Sequence, residues 1–550
     1  MKPLLIVNAD VPVIPRHIRL SDYRRVIYTQ DTGSPAADTD SCRQLSYPVS
    51  TIEKRAFQLA NHHLKTYSLP KDEHDAVVKN LIQFRGIFFY IAVIDFILSK
   101  EKPDHPVHIL SCLRKSDLQT ILPQYRQVIE KNLKANNSIL KKELAKSLAI
   151  GLANRITRIF SRRRKPVNTH IFLAPTLTAW KMLELLWNKN KGINVLFRDN
   201  ILNKRKRDFA GYLNKKGIPF SRLKDYPGIG SSFIVTSQTW FGTPAISTLV
   251  SFYRQEFNRK VRLWKSYLAD TPIRHIVMLE EFLDTANVLN QLKTSMNPEL
   301  KTYNFMHGAG YYQGISPVTT FAVFGEFYRK VYARMGNDAG SIEIVENPQF
   351  RLLADDRQAV PPEWLKITGG KPVITYFSQY TRGPSTVAIR LQIEKWLADY
   401  CQKHDCQAVI KLHPAETDSI YSLPEIMVLK DEFPLAAFFH GSMATVTFYS
   451  FTAIESIYSG CPVVIANPKQ ISGLYVFDEL QTLQVSDYQA FAAVLETIRV
   501  SEASAAAVLE EQQQLAGKLF YREPGGGSED HYRRIIGLEK TSATTRQPRP

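Results

Sequence analysis

The segment AVIKLHPAE (Ala408–Glu416) places a lysine, a histidine and a proline at the end of an apolar run. Pro414 has no backbone N–H and biases His413 towards an extended conformation, so we expect a strand to end here. His413 then lies at the carboxyl edge of a sheet beside Lys411, where both side chains can donate hydrogen bonds to a phosphate oxygen. The alternative is a strand-end histidine that only completes a turn.

A second run, TVTFYSFTAIESIYSGCPVVI (Thr445–Ile465), has the pattern of a strand, a short helix and another strand. Ser450 and Thr452 stand where the helix would begin, and Glu455 follows one turn later. A serine at a helix start can cap the helix, and the free N–H groups there face an anion. We favour a phosphate cradle shared with His413, although a plain N-cap at Ser450 with a solvated Glu455 fits the same residues.

A third polar loop follows the expected strand Val373–Phe377, in the sequence TYFSQYTRGP. Ser378 and Gln379 come directly after the strand and could contact a phosphate, a base or a ribose. A loop that binds no ligand is the alternative for each residue. With the two motifs above, these residues predict an anion site at one edge of a parallel sheet.

Two stretches nearer the amino terminus carry groups that could exchange a proton. In HIVMLEEFLD (His275–Asp284) a strand ends in Glu280 and Glu281, and a neighbouring carboxylate can raise the pKa of a carboxylate base. In YNFMHGAGYYQG (Tyr303–Gly314) a strand is followed by His307 in a glycine-rich turn. The alternatives are two solvated acids stabilised by a helix dipole and a histidine that serves only the turn.

The elements that must position these groups alternate along the chain as short apolar runs and segments of helical period. Such alternation builds parallel sheets covered by helices on both faces, so we expect an α/β fold. The expected strands are Leu4–Val7, Val26–Thr29, Val107–Ser111, His170–Ala174, Asn194–Arg198, Ser232–Thr236, His275–Leu279, Tyr303–Met306, Phe321–Phe324, Val373–Phe377, Ala408–Leu412, Thr445–Tyr449 and Pro462–Ala466. The clearest expected helices are Ala179–Asn188, Asp284–Lys293, Val387–His404 and Phe451–Ser459.

A composition change near Ala354–Lys371, which is rich in proline, aspartate and glycine, predicts a domain boundary. We expect a Rossmann-like acceptor-side domain over 1–355, a nucleotide-binding Rossmann-like domain over 370–520, and an extension over 521–550 with a disordered tail. Ligands of open α/β sheets bind beyond the carboxyl ends of the strands, so the expected site is a cleft between the two domains.

Composition limits the function further. The 550 residues are 44% hydrophobic with a formal net charge of +18, which allows a large core and attracts polyanions. The five cysteines have neither a zinc-like nor a disulfide-like spacing, so a reducing cytosol is expected. The basic residues are scattered and no reader motif occurs, which argues against nucleic acid as a partner.

Two segments bear on a membrane. The longest apolar stretch, Gly86–Ser99, is shorter than the about 20 residues of a membrane span and is interrupted by Asp95, so it predicts a buried helix. The segment 139–165 has apolar residues at helical spacing and ends in a basic cluster. It is either an ordinary surface helix or a helix that lies on an anionic membrane.

KLHPAE followed by FYSFTAIESIYSGCPVV resembles the His-Pro and Ser-Ser/Thr motif pair of bacterial GT-B glycosyltransferases. These include polysialyltransferase and capsule Kdo-transferase-like families, which use CMP-sugars. The resemblance covers roughly residues 370–470 and the amino-terminal half only loosely. It implies a GT-B fold of two Rossmann-like domains facing a central cleft, with His413 and Ser450 on the nucleotide phosphate.

Further positions follow from the same resemblance. Thr452 is a looser match, because Phe451 occupies the place where a second Ser or Thr often stands, and Glu455 matches the helix acid. The families place an acidic pair before a glycine and use the second acid as general base; by position this is Glu281, with Phe282 in place of the glycine.

The turn at His307 is similar to a strand-end His-Gly turn of surface-carbohydrate and CDP-glycerol phosphotransferase proteins. This similarity implies that His307 is a second candidate for the base, or a ligand of acceptor or donor phosphate.

Together these observations predict a glycosyltransferase that moves a sugar from a nucleotide donor to a bacterial surface glycan, in capsule or lipopolysaccharide. A CMP-sugar of sialic acid or Kdo type is the favoured donor. We expect inversion and no cofactor. No Asp-x-Asp stands at a strand end, so we expect His, Lys, Ser and helix dipoles to meet the phosphate charge without a metal. The expected partners are the nucleotide-sugar, a glycan or lipid-linked glycan and an anionic membrane surface, with the enzyme cytoplasmic and peripheral at the inner face of the inner membrane.

Three other functions fit the same motifs. A CDP-glycerol-type polyol phosphotransferase would share the site layout, and a sugar-nucleotide epimerase of similar fold would act without an acceptor. A non-catalytic glycan- or membrane-binding protein on a GT-B scaffold remains open because of Phe282.

Overall fold

A computed structural model gives the structure of the chain. It describes residues 2–7, 22–28, 42–44, 48–82, 87–111, 114–134, 169–174, 193–197, 211–222, 246–269, 271–279, 285–306, 315–347, 350, 360–379, 387–413, 416, 423–430, 432–523 and 528–538. Three predicted segments, the strand Ser232–Thr236, the helix Ala179–Asn188 and the basic segment 139–165, lie outside these residues.

The first unit is a five-stranded sheet with the order β3-β2-β1-β4-β5. Its strands are parallel. They are β1 (Leu4–Val7), β2 (Arg25–Tyr28), β3 (Cys42–Gln44), β4 (Val107–Ser111) and β5 (Ile129–Lys134). The helices described in this unit are α1 (Val49–Leu64), α2 (Lys71–Ile82), α3 (Ile87–Glu101) and α4 (Lys115–Ile121), with 3-10 turns at Lys65–Tyr67 and Pro123–Tyr125.

Helix α3 confirms the prediction of a buried helix in the longest apolar stretch. Phe88, Tyr90 and Ile94 are at most 1% exposed. The Asp95 carboxylate accepts a hydrogen bond from Arg55 Nε at 2.7 Å, so the charge within the apolar run has a partner. In the part of the chain that the structure describes, no helix combines the length and apolarity that crossing a bilayer requires.

The second unit is a seven-stranded parallel sheet with the order β12-β11-β10-β9-β6-β7-β8. Its strands are β6 (His170–Ala174), β7 (Ile193–Phe197), β8 (Phe220–Arg222), β9 (His275–Met278), β10 (Lys301–Phe305), β11 (Thr320–Val323) and β12 (Ile342–Ile344). The helices described here are α5 (Ile246–Ala269), α6 (Thr285–Ser295) and α7 (Glu326–Arg334), with a 3-10 turn at Ala339–Ser341.

The third unit is a six-stranded parallel sheet with the order β15-β14-β13-β16-β17-β18. Its strands are β13 (Val373–Phe377), β14 (Gln407–Lys411), β15 (Ile426–Leu429), β16 (Ala444–Thr447), β17 (Val463–Ala466) and β18 (Gln484–Val485). Its helices are α8 (Pro362–Thr368), α9 (Val387–His404), α10 (Leu435–His440), α11 (Thr452–Tyr458), α12 (Tyr488–Val500) and α13 (Glu502–Leu519), with a 3-10 segment at Tyr475–Leu483. One more helix, α14 (Ser528–Ile535), follows them in the chain.

The same winding occurs in all three sheets. Each begins with a central strand, adds the next two strands on one side, and then adds the later strands on the other side. The central strands, such as β13 and β16, are buried along their whole length because helices cover both faces. The prediction of an α/β protein built on Rossmann-like sheets is therefore confirmed.

Two of the three sheets lie within the predicted domain 1–355. Helix α5 joins them, because its first half packs in the core of the first unit through Leu249 and Tyr253, and its second half packs in the second unit through Phe257 and Trp264. The domain boundaries at 355 and 370 stay a prediction.

The chain returns to the second sheet after the third unit. The N–H of Tyr521 donates to the Phe324 carbonyl at 2.8 Å, and the Tyr532 hydroxyl donates to the Glu346 carbonyl. Tyr532 and Ile536 are at most 1% exposed, so 528–538 belongs to the core of the second unit. The Ser/Thr/Arg/Pro-rich end of the predicted tail, 541–550, lies outside the described residues.

Substituting Gly325 tests how closely this return segment packs. A Cβ at Gly325, just before α7, would overlap the backbone carbonyl of Leu519 at the end of α13. Because backbone atoms cannot move aside as a side chain can, we expect Gly325→Ala to destabilise the protein by roughly 2 kcal/mol or more, measured by denaturant unfolding. Gly517→Ala on the same helix α13 is the control, because that position is exposed and open, and a gain of about 0.5–1 kcal/mol is expected there. Equal stability of the two variants would contradict the close packing.

Two stacked histidines hold the end of the return segment. The imidazoles of His170 and His275 lie 4.0 Å apart at 10°, and His170 Nε2 contacts the Ile536 carbonyl at 3.0 Å. Burial lowers the pKa of both histidines. The pKa of His275 falls to about 4, with smaller contributions from His170 and Lys301. Both rings are therefore neutral in the folded protein at neutral pH.

Acid should loosen this contact. The folded pKa of His275 lies below the unfolded value of about 6.5, so the opened state binds more protons between pH 6.5 and 4 and is favoured as the pH falls through that window. We expect the amides of 532–538 to exchange faster at pH 4.5 than at pH 7.5, after correction for intrinsic rates. In His275→Phe, which keeps an aromatic ring but does not titrate, the acceleration should shrink. An unchanged pH response in that variant would rule out His275 as the titrating group.

Candidate functional site

The strand order of the third sheet locates its ligand-binding edge. The central strand β13 is followed by β14 and β15 on one side, and β16 begins the other side, so the winding reverses between β13 and β16. In open α/β sheets this reversal leaves a crevice beyond the carboxyl ends of the two strands. The loops that leave this edge contain Ser378 and Gln379 after β13, and Tyr449 and Ser450 after β16.

His413 follows β14 at the same edge, two residues after Lys411. Its backbone N–H donates to the hydroxyl of Ser378 at 3.1 Å and to Glu416 Oε2 at 3.0 Å. The Glu416 N–H donates in turn to the His413 carbonyl at 2.9 Å. The backbone of His413 is therefore held on both sides, and its half-buried side chain is not needed for those bonds.

Ser378 supports this loop from the neighbouring strand. Its side chain is 4% exposed, and its hydroxyl donates to the Glu416 carboxylate while accepting the His413 N–H. A hydroxyl has one hydrogen, so this arrangement leaves none for a ligand. The structure thus places Ser378 beneath the loop of His413, and its predicted contact with phosphate stays a prediction.

Gln379 supports the loop on the other side of β13, after β16. Its Oε1 atom accepts the N–H of Tyr449 at 3.2 Å, in the loop after β16. The consecutive residues Ser378 and Gln379 therefore tie the loop after β13 to both neighbouring loops. Neighbouring strands lie about 4.8 Å apart, so the ends of β14 and β16 are roughly 10 Å apart with β13 between them.

The turn before α11 has Ser450 at the helix start, as the sequence predicts. The regular helix begins at Thr452, and Phe451 before it already has helical backbone angles (φ −58°, ψ −20°) and makes no cap hydrogen bond through its side chain. Ser450 lies one residue earlier. Its Oγ accepts the Thr452 N–H at 3.4 Å and its carbonyl accepts the Ala453 N–H at 3.0 Å. Ser450 therefore satisfies backbone donors of the first turn, as a capping residue does.

Thr452 and Glu455 are both more enclosed than a solvated helix start would be. The Thr452 Oγ1 atom is buried and has no hydrogen-bond partner among the described residues. Glu455 is 4% exposed, so the alternative of a solvated acid at this position is wrong.

Electrostatics at the edge favour an uncharged imidazole and a bound anion. Burial lowers the pKa of His413; Glu416 acts against that shift, and Lys411 and Lys430 add to it. A neutral imidazole offers one N–H donor and one acceptor nitrogen. The two lysines stand beside it: Lys430 Nζ donates to the Glu416 carbonyl at 2.6 Å, and Lys411 Nζ donates to the Leu412 carbonyl at 3.2 Å.

Sequence reasoning missed three charged groups behind the site. Glu416 is 4% exposed and forms the centre of the loop's hydrogen bonds, and Arg390 and Glu394 on α9 form a buried ion pair of 3.1 Å. Burial raises the pKa of Glu394 to about 7, with Arg390 acting against it and Glu416 adding to it. The signal for Glu416 was present: it stands three residues after His413, the spacing at which a carboxylate can close a turn on a backbone N–H.

The candidate proton-exchanging residues Glu281 and His307 lie outside the described residues. Their loops leave adjacent parallel strands of the second sheet, since Met278 at the end of β9 is paired with Asn304 near the end of β10. The loop of Glu281 also leaves one of the two strands where the winding of that sheet reverses, β6 and β9. The roles of the two residues stay predictions.

Buried amides fix the far end of the loop of His307. Asn304 Nδ2 donates to Ser316 Oγ at 2.9 Å, and the Ser316 N–H donates to Asn337 Oδ1 at 2.7 Å. All three residues are at most 5% exposed.

In the described part of the chain, no cluster of three or more His, Cys, Asp or Glu side chains could hold a metal ion.

Comparison with known proteins gives distant matches in fold. No family model and no curated protein matches the chain. Among solved structures, Anabaena HepE in complex with UDP and glucose is 10% identical over 68% of this chain and 100% of its own, with a TM-score of 0.43. A putative UDP-N-acetylglucosamine 2-epimerase from Listeria monocytogenes is 10% identical over 67% of this chain and 96% of its own, with a TM-score of 0.47.

The wall teichoic acid polymerase TagF is 11% identical over 73% of this chain and 97% of its own, with a TM-score of 0.40. All three TM-scores are below 0.5.

Proposed function

We propose that the protein is a GT-B-type glycosyltransferase whose third sheet binds the phosphate of a nucleotide-activated sugar. The observation that carries the proposal is the hydrogen-bonded edge formed by three neighbouring loops. The loop of His413 and the turn of Ser450 leave strands on either side of β13, and Ser378 and Gln379 bond to one of them each. Loops tied together in this way form a preorganised crevice at the switch point of the sheet.

The phosphate would be held by hydrogen bonds and by charge. His413 donates one N–H, Ser450 and Thr452 offer hydroxyls, and Lys411 and Lys430 supply positive charge. Such groups can neutralise a phosphate without a metal ion. Glu455 is buried one turn into α11, and in this proposal it stabilises the helix start without contacting the phosphate.

The acceptor would bind against the second sheet. Glu281 or His307 takes the proton from the acceptor hydroxyl as it attacks the anomeric carbon, which gives inversion. The CMP-sugar donor and the capsule or lipopolysaccharide acceptor are proposed from the motif resemblance. The net charge of +18 supports binding to an anionic glycan or to the inner face of the inner membrane.

A nucleotide screen tests this proposal. CMP, CDP, UDP and GDP are added separately to the full-length chain, and thermal unfolding and calorimetric binding are measured. The expected result is that CMP protects best and that a CMP-sugar is consumed only with an acceptor glycan. Preference for CDP with transfer of glycerol phosphate would favour the polyol phosphotransferase, and consumption of a UDP-sugar without acceptor would favour the epimerase. Binding of none of the four nucleotides would refute the proposed function.

A further inference from the structure

Both connections between the second and third units pass through one aromatic cluster. Phe350 lies on the segment leading from β12 to the third unit, and Phe520 lies where the chain leaves α13 to return to the second. Their rings are 5.7 Å apart, and both residues are at most 1% exposed. Tyr458 at the end of α11 completes the cluster, which we call the aromatic joint (Phe350, Tyr458 and Phe520).

Phe451 connects this joint to the candidate site. Its ring lies 5.6 Å from Phe350 and 5.8 Å from Phe520, and it directly follows Ser450 in the chain. Tyr458, one helix length away, packs 4.4 Å from Phe350 and its hydroxyl donates to the Phe520 carbonyl at 3.5 Å. Both ends of α11 are thus anchored where the chain crosses between units.

The ring of Phe451 is not needed for the start of α11. Phe451 has helical backbone angles (φ −58°, ψ −20°) and its side chain makes no cap hydrogen bond, whereas the hydroxyl of Ser450 accepts the Thr452 N–H. The Phe451 side chain is also partly exposed, so it is not a simple core residue. Its ring contacts with both crossings are therefore what distinguishes this position.

We propose that Phe451 is a positioning residue: its ring sets the turn of Ser450 against the aromatic joint, so that nucleotide binding at the turn depends on the seating of the second unit on the third. The inference rests on the proposed function. Phe451 acts through Ser450 and does not itself bind the phosphate. A change in the orientation of the two units would move the contacts of Phe451 and, with them, the turn.

The test measures CMP affinity of the full-length chain by calorimetry. We expect Phe451→Leu and Phe350→Leu each to weaken CMP binding about tenfold, and the double variant to weaken it by much less than 100-fold, because contacting residues are not additive. Phe451→Tyr keeps the ring and should stay within about threefold of wild type. The control is Phe433→Leu, since Phe433 is a partly exposed phenylalanine of the same unit whose ring packs 5.4 Å from Trp364, in a separate hydrophobic cluster.

The outcomes separate the two proposals. If wild type binds none of the four nucleotides, the proposed function fails. If wild type binds CMP and Phe451→Leu binds it like wild type or like Phe433→Leu, the proposed function stands and the positioning role is overturned. Multiplicative losses in the double variant would also overturn the coupling between Phe451 and the joint. Circular dichroism on each variant confirms that the loss is not unfolding.

Discussion

His413→Ala should weaken CMP binding about 10- to 100-fold, the range expected for losing one hydrogen bond to a charged group. The fold should survive, because the loop is held by the backbone N–H of His413 and not by its ring. Calorimetry gives the affinity, and the loss of CMP protection in a thermal scan gives an independent reading. In a sugar-transfer assay, kcat/KM should fall by at least the factor by which CMP affinity falls.

The matched control for this variant is His105→Ala. His105 lies beside Asp104 before β4, in the first sheet, and its removal should leave CMP binding unchanged. A His413→Ala variant that binds CMP as tightly as wild type would show that the imidazole does not contact the phosphate. The loop would then have only a structural role, and the candidate site would lack its proposed central hydrogen-bond donor.

Glu416→Ala should have the largest effect on stability, about 2–4 kcal/mol, because it removes a buried carboxylate at the centre of a hydrogen-bond network. The Ser378 hydroxyl and the His413 N–H both lose this acceptor. The loop of His413 then loses its fixed position, so CMP binding should fall along with stability. Denaturant unfolding and hydrogen exchange of 408–413 report the two consequences.

Two variants sharpen that experiment. Glu416→Gln keeps one carbonyl acceptor and should lose less stability than the alanine variant. Glu425→Ala changes an exposed glutamate of the same unit, for which at most about 0.5 kcal/mol is expected. If Glu416→Ala were no more damaging than Glu425→Ala, the hydrogen bonds around Glu416 would not be what holds the loop.

The two predictions distinguish the group that binds the nucleotide from the groups that hold the loop of His413 in place. In the proposed function the ring of His413 binds the phosphate, whereas Glu416 and Ser378 hold the His413 backbone. A variant of the support should change stability and affinity together. A variant of the ring should change affinity alone, and this difference identifies the group that contacts the nucleotide.

Much of the secondary structure followed from local sequence. The runs Val373–Phe377 and Val387–His404 were predicted with the bounds that the structure has, because a buried parallel strand is apolar throughout and a helix repeats its apolar positions at a fixed period. Polar or very short edge strands were missed. β5 (IEKNLK) is largely polar and β18 has two residues, so neither produces an apolar run.

The supporting residues of the site could not be found in the same way. Ser378 and Glu416 bond to each other across 38 positions of the chain, and Phe451 meets Phe350 across a gap that spans most of the third sheet. Residue type alone indicated Ser378 as a candidate ligand. Packing decided that Ser378 is buried beneath the loop of His413 and that its hydroxyl bonds to Glu416.

The sequence by itself determined the central, apolar strands, the long periodic helices and the groups that could bind an anion, because periodicity and residue chemistry are properties of neighbouring positions. The tertiary structure decided the strand order, and hence that His413 and Ser450 leave strands on either side of β13 at one edge. It also decided which polar groups form hydrogen bonds inside the fold and which stay open to a ligand. The strand order and these hydrogen bonds both depend on contacts between residues that are distant in the chain.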